Sequence, residues 1–171
     1  MPTTVATRDR GALIEENAGK RKELIALLET AYWMEIETVM SYIANSVNPD
    51  GLRAQEVIEA LEGDIQEELG HAQEFARRIK ELWGIVPGSM EFRPVQTFLQ
   101  PPEKQTDIVH VIRGVIAAEK GAIQHYQRIV EHCDDFDLVT QDMVIGVLRD
   151  EQQHLRLFEG FLRELEVDGL T

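Results

Sequence analysis

The sequence holds a single cysteine, Cys133, among 171 residues. One thiol excludes an internal disulfide, a cysteine-based zinc site and a rubredoxin-like iron site. Positive charge is also scarce, with 17 Lys and Arg against 31 Asp and Glu and a net charge of −14. That balance opposes electrostatic capture of DNA or of an anionic membrane surface and makes cations the natural partners. Long apolar runs are missing as well. The first twenty residues, MPTTVATRDRGALIEENAGK, lack the continuous apolar core of a signal peptide, and no later stretch approaches membrane-spanning length. The expectation is a cytoplasmic protein with no nucleic-acid or membrane partner, in which any metal is held by carboxylate and imidazole.

What the sequence does have is helical periodicity. Its length suits a single domain over residues 1–171, with a bundle core over about 18–166. Four segments, 18–47, 52–83, 106–133 and 140–166, carry apolar residues at helical spacing with few breakers. Asn48-Pro49-Asp50-Gly51 ends the first, Gly84 and Pro87 end the second, and Asp134 to Asp137 separate the last two. Thr106 and Thr140 are the expected N-caps. Residues 84–105 hold Pro87, Pro94, Pro101 and Pro102 and no regular period. Helices of about 28 residues are roughly 42 Å long, and some twenty extended residues can run back along one. A short, a long and a short connection predict an all-α fold: a ferritin-like four-helix bundle with a long crossover between the second and third helices.

The chemistry-bearing residues are duplicated. Glu68-Leu-Gly-His71 lies on the second segment and Glu151-Gln-Gln-His154 on the fourth, and at that spacing both side chains of each motif leave one helical face. Leu61, Ile65, Ala72 and Phe75 surround the first motif, and Val144, Leu148, Leu155 and Phe158 surround the second at matching positions. Both motifs therefore point into the core. The first and third segments pair Glu35 with Tyr42 and Glu119 with Tyr126, each two turns apart on an apolar stripe. Glu37 competes with Glu35, but two residues rotate it about 200° away from the stripe of Leu28, Ala31, Val39 and Tyr42. Glu68 follows Glu35 by 33 residues and Glu151 follows Glu119 by 32, so the chain reads as two copies of one helical hairpin.

A carboxylate alone in an apolar stripe is costly to bury. Four carboxylates and two imidazoles facing one another form a ligand set for two divalent ions, whose charge the four carboxylates neutralise. Oxygen-rich ligation with two nitrogens suits two iron ions, with manganese as the alternative and zinc as an adventitious occupant. One Glu-x-x-His on an acidic helix is more often a surface pair than a ligand set. Two on equivalent core faces, each preceded by a core-facing Glu at nearly the same distance, favour the metal reading.

The order Glu, Glu-x-x-His, Glu, Glu-x-x-His over four helices resembles the bacterioferritin and rubrerythrin branch of the ferritin-like superfamily. The resemblance covers about residues 18–166, and Leu-Arg-Asp-Glu-Gln-Gln-His at 148–154 is especially like the bacterioferritin fourth helix. It implies Glu35 and Glu119 as terminal ligands, Glu68 and Glu151 as bridging carboxylates, and His71 and His154 as one nitrogen ligand per metal. Leu69 stands where bacterioferritins place a haem-ligating Met, so no haem is expected through that position. Ala122 replaces an additional rubrerythrin Glu, and the rubredoxin cysteines, the paired cysteines of Dps-like thioferritins and a fifth helix are missing.

Around the ligands, Glu67 is expected to orient His154 and Asp150 to orient His71, because metal-bound imidazoles donate their free N–H to such carboxylates. Tyr42 and Tyr126 are placed to hydrogen-bond ligand carboxylates of the opposite hairpin. His110, His125 and His132 lack an acidic partner at ligand spacing and are expected on helix surfaces. Trp33, Ile36, Met40, Ile43 and Val47 form a second apolar stripe on the first helix, as an interface would. The resemblance implies a side-by-side antiparallel homodimer there, which the family commonly closes into a larger cage.

The expected activity is ferroxidase: Fe(II) oxidised by O2 or H2O2 at a dinuclear site, for iron storage or detoxification. Two alternatives are a diiron peroxidase that removes peroxide without storing mineral and a non-redox metal-binding bundle.

Overall fold

The computed structural model describes residues 11–171. The expectation that the first twenty residues carry no leader core thus lies partly outside the described residues. Four long helices make up the fold: α1 (Ala18–Val47), α2 (Gln55–Glu81), α3 (Ile108–Cys133) and α4 (Leu138–Val167). No strand occurs among the described residues, and no helix of theirs is long and apolar enough to cross a membrane.

α1 and α2 form one hairpin and α3 and α4 the other. The hairpins meet with α1 antiparallel to α3: Tyr42 reaches Glu119, whereas Tyr126 reaches Glu35. α2 is likewise antiparallel to α4, since His71 meets Asp150 and His154 meets Glu67. This is the ferritin-like bundle that the connection lengths predict.

Helix ends follow local chemistry, and both expected threonine caps are corrected. Asp107 caps α3 by accepting the N–H of His110 at 3.0 Å, and Asp137 caps α4 by accepting that of Thr140 at 3.2 Å. Each carboxylate accepts the free N–H three residues ahead of it, so α3 starts one residue after Asp107 rather than at a Thr106 cap, and Thr140 lies within the first turn of α4. Thr140 is instead fully buried, and its hydroxyl accepts from Arg78 Nε at 2.7 Å. α2 starts three residues later than expected, after a turn in which Gly51 takes φ +117°. It stops at Glu81, where Gly84 N–H closes back on Ile79 O at 2.8 Å. A Cβ at Gly84 would meet Ile79 Cγ2 at 2.7 Å, so only glycine fits that approach.

The crossover carries two short 3-10 turns, Ser89–Glu91 and Thr97–Leu99, and is tied along α1. Glu37 lies buried beneath it and accepts the backbone N–H of Val95 at 2.9 Å and of Gln96 at 2.7 Å. Asn45 donates to Leu99 O at 2.8 Å. Glu37 therefore does turn away from the bundle interior, but as an anchor for an irregular segment whose N–H groups need acceptors.

Two apolar clusters fill the bundle. One contains Leu24, Leu28, Phe75, Ile79, Ile129 and Val144. The other contains Val57, Leu61, Val111, Ile112, Val115 and Phe158. Tyr126 belongs to the first and Tyr42 to the second, with a polar layer between the clusters.

Candidate metal centre

That layer is made of Glu35, Glu68, His71, Glu119, Glu151 and His154, each at most 6% exposed. Each helix contributes its side chains from the middle of its length, where both neighbours along the axis are apolar. His71 Nδ1 lies 3.3 Å from Glu151 Oε1, 3.6 Å from Glu68 Oε2 and 4.0 Å from Glu35 Oε1. His154 Nδ1 repeats the set at 3.2 Å from Glu68 Oε1, 3.6 Å from Glu151 Oε2 and 4.0 Å from Glu119 Oε1.

Two overlapping groups result, Glu35–Glu68–His71–Glu151 and Glu68–Glu119–Glu151–His154, within each of which the ligand atoms all lie within 4.8 Å of one another. Glu68 and Glu151 belong to both. The contacts to the imidazoles are close without hydrogen-bond alignment. Both Glu68 oxygens, Glu151 Oε1 and the Nδ1 atoms of both histidines remain buried and without hydrogen-bond partners. Buried polar atoms without partners are rare, and five converging on one point need a common partner. Carboxylate oxygens and imidazole nitrogens are donors for divalent cations, so the residues present fit a pair of such ions.

Electrostatics agree. Burial, followed by the charges of Glu151 and Glu68, pushes Glu35 well above the usual carboxylate range, and burial with Glu151 does the same to Glu119. Burial disfavours charge on the imidazoles too, but the closely apposed carboxylates of Glu151 and Glu68 outweigh it. They push His71 up to about 10 and His154 up to about 12. Burial would raise Glu151 as well, yet the two imidazoles hold it at about 2. The cluster thus draws in positive charge from whatever source is at hand, proton or metal.

The far side of each ring meets the opposite hairpin. Asp150 Oδ2 lies 3.4 Å from His71 Nε2, and Glu67 Oε2 lies 3.4 Å from His154 Nε2. Tyr42 Oη donates to Glu119 and Tyr126 Oη donates to Glu35. Asp64 was missed by sequence reasoning: its Oδ1 is 3.7 Å from His154 Nε2. The signal was present, because Asp64 precedes His71 by two helical turns and sits on the stripe of Leu61 and Ile65.

Among the remaining histidines, His125 corrects an expectation. It is buried rather than on the surface, and its Nε2 donates to Leu27 O at 2.8 Å. Burial lowers its pKa. A backbone carbonyl, which no residue pattern announces, supplies the partner. His110 is exposed and pairs with Gln100 O at 2.9 Å, and His132 is partly exposed and pairs with Lys20 O at 3.1 Å.

The family model for the ferritin-like domain matches residues 25–167, and the chain belongs to the ferritin-like family. It is 27% identical over 153 residues to the DNA protection during starvation protein of Pyrococcus furiosus, covering 88% of this chain and 82% of that one. It is 25% identical over 141 residues to the bacterioferritin of Desulfovibrio desulfuricans, covering 82% and 74%. A solved dodecameric thioferritin, the bacterioferritin-related protein from Bacteroides fragilis, superimposes with a TM-score of 0.75 at 25% identity, covering 91% of this chain and 97% of that one. The family binds iron, and the buried carboxylate and histidine cluster fits a diiron site.

Proposed function

We propose that the protein is a ferroxidase whose substrate is Fe(II), bound in pairs by Glu35, Glu68, His71, Glu119, Glu151 and His154. The observation that carries this reading is the membership of Glu68 and Glu151 in both ligand groups, which couples two ions through shared carboxylates. Each bound Fe(II) gives up one electron, and the pair reduces H2O2 to water or O2 to peroxide. The chain itself supplies position and charge neutralisation. Glu35 and Glu119 close one position each, and the imidazoles bind through Nδ1 while Asp150 and Glu67 hold their outer N–H groups. Manganese is a second native candidate, zinc an adventitious one, and Leu69 offers haem no ligand.

Iron storage or detoxification in the cytoplasm is the proposed role, with the ferric product held in an assembly of copies. Met40, Ile43 and Val47 on α1 are exposed, as a homodimer contact requires, while Trp33 is half-buried against Phe92 at 5.3 Å between ring centres. The dodecameric relative supports a cage built from such dimers. A net charge of −14 repels nucleic acid, so any role shared with the Pyrococcus furiosus protein is assigned to iron chemistry and not to DNA contact.

An anaerobic Fe(II) titration followed by separate O2 and H2O2 pulses, with particle size measured alongside, tests the reading. Two ions per chain oxidised within one fast phase is the expected result. Sustained peroxide turnover with an external reductant and no mineral would move the assignment to a peroxidase, and no oxidant consumption would leave a non-redox scaffold. Met40→Glu and Ile43→Glu are expected to lower particle mass with helix content retained; unchanged mass in both would remove this face from the interface.

A further inference from the structure

The two halves of the centre correspond position for position, with one exception. Glu35 and Tyr42 on α1 answer to Glu119 and Tyr126 on α3 at an offset of 84 residues. Glu67, Glu68 and His71 on α2 answer to Asp150, Glu151 and His154 on α4 at an offset of 83. Carried along α2, the same offset pairs Asp64 with Val147, an acid with an aliphatic residue. Val147 is buried in an apolar cluster. Asp64 stands behind His154, with Oδ1 at 3.7 Å from Nε2. Its side chain is 15% exposed, its Oδ2 is buried without a hydrogen-bond partner, and its ion-pair contact among the described residues is His154.

His154 Nε2 is therefore backed by Glu67 at 3.4 Å and by the withdrawn Asp64 at 3.7 Å, whereas Asp150 at 3.4 Å backs His71, with the half-exposed Glu67 within 4.8 Å of that pair. A carboxylate at the outer N–H of a metal-binding imidazole orients the ring and raises its basicity. A second one adds negative potential, and because Asp64 is largely withdrawn from water, solvent screens it poorly.

Building on the paired-site reading above, we propose that Asp64 makes the two metal positions unequal. The position formed by Glu68, Glu119, Glu151 and His154 then takes a divalent cation first and holds it more tightly than the one formed by Glu35, Glu68, His71 and Glu151. Asp64 acts through His154 and is a positioning residue.

The test is an anaerobic Co(II) titration of the full chain, followed by visible absorption and by calorimetry. The wild-type protein binds two ions in distinguishable steps. Asp64→Asn, which keeps the shape and removes the charge, weakens the tighter step by about 10- to 100-fold and alters the bands of the first-bound ion, and Asp64→Glu restores much of both. In a His71→Ala background Asp64→Asn weakens the remaining ion by a similar factor, and in a His154→Ala background it changes affinity by less than about threefold. Should those two backgrounds bind nothing, wild type against Asp64→Asn decides alone. Two constants left unchanged, or lowered by the same factor, overturn the proposal while the wild-type count of two ions upholds the paired site. Fewer than two ions in the wild-type chain overturns the paired site and the proposal with it.

Discussion

Tyr42 on α1 donates a hydrogen bond to Glu119 on α3, across the seam between the two hairpins. Both side chains are almost wholly buried, and burial followed by the Glu119 charge holds the phenol well above its usual range, so Tyr42 stays protonated as donor. Removing the hydroxyl strands a buried carboxylate oxygen. Tyr42→Phe is expected to destabilise the metal-free chain by about 1–3 kcal/mol. The loss should shrink when divalent ions are added, because a cation then partners the same carboxylate. Urea unfolding with chelator and with Mn(II) measures both values. A variant as stable as wild type under chelator would reduce Tyr42 to core packing.

The pH dependence follows from the imidazoles and their carboxylates. His71 and His154, raised to about 10 and about 12, stabilise the metal-free fold fully below their unfolded value near 6.5. That contribution is lost as pH climbs toward those values. Glu35 and Glu119 are also raised, so they too favour the fold less once pH passes the ordinary carboxylate range. Glu151 acts in the opposite sense: held at about 2, it contributes stability above its unfolded value that disappears as pH falls toward 2. The melting temperature of the metal-free protein should therefore fall between pH 7 and 10. With saturating Mn(II) over the same range it should hold or rise, since ions replace protons and bind better as the ligands deprotonate. Parallel melting curves with and without metal would contradict this account.

Glu37 gives a test in which stability and metal binding part company. Its carboxylate accepts two backbone N–H groups of the crossover and belongs to neither group of four ligands. Glu37→Ala should cost about 1–3 kcal/mol of stability by leaving those donors unpaired. The count of two bound ions should persist. Loss of an ion in a folded Glu37→Ala chain, read by calorimetry beside circular dichroism, would place Glu37 closer to the centre than its hydrogen bonds do.

How much of this was legible in the sequence depended on what answers each side chain. α1 spans residues 18–47 as the periodicity predicts, because Asn48, Pro49 and Gly51 punctuate its end. The convergence of Glu35, Glu68, His71, Glu119, Glu151 and His154 was legible because charged groups in an apolar stripe are anomalies that need a shared explanation. The partners of Glu37 and His125 were hidden because they are backbone groups, of Val95 and Gln96 in one case and Leu27 in the other. No residue type signals a carbonyl or N–H that an aperiodic segment will present. The choice of Asp107 over Thr106 as a cap turned on one residue of register, which propensity alone does not resolve.

The sharing of Glu68 between both ligand groups leads to the most discriminating comparison. Glu68 faces both imidazoles, at 3.6 Å from His71 Nδ1 and 3.2 Å from His154 Nδ1, whereas His71 belongs to one group of four. Glu68→Ala should therefore weaken both metal positions, and His71→Ala chiefly one. Rapid oxidation draws one electron from each of two irons, so both variants should lose most of it. Their metal content should differ: His71→Ala keeps about one ion per chain, and Glu68→Ala keeps less, if outer-shell losses of about 10- to 100-fold set the lower bound for losing a direct ligand. Anaerobic Fe(II) binding followed by stopped-flow oxidation gives the two numbers separately. Equal metal content in the two variants would argue against Glu68 as a bridge. Wild-type oxidation rates in both would move the chemistry out of this layer of the bundle altogether.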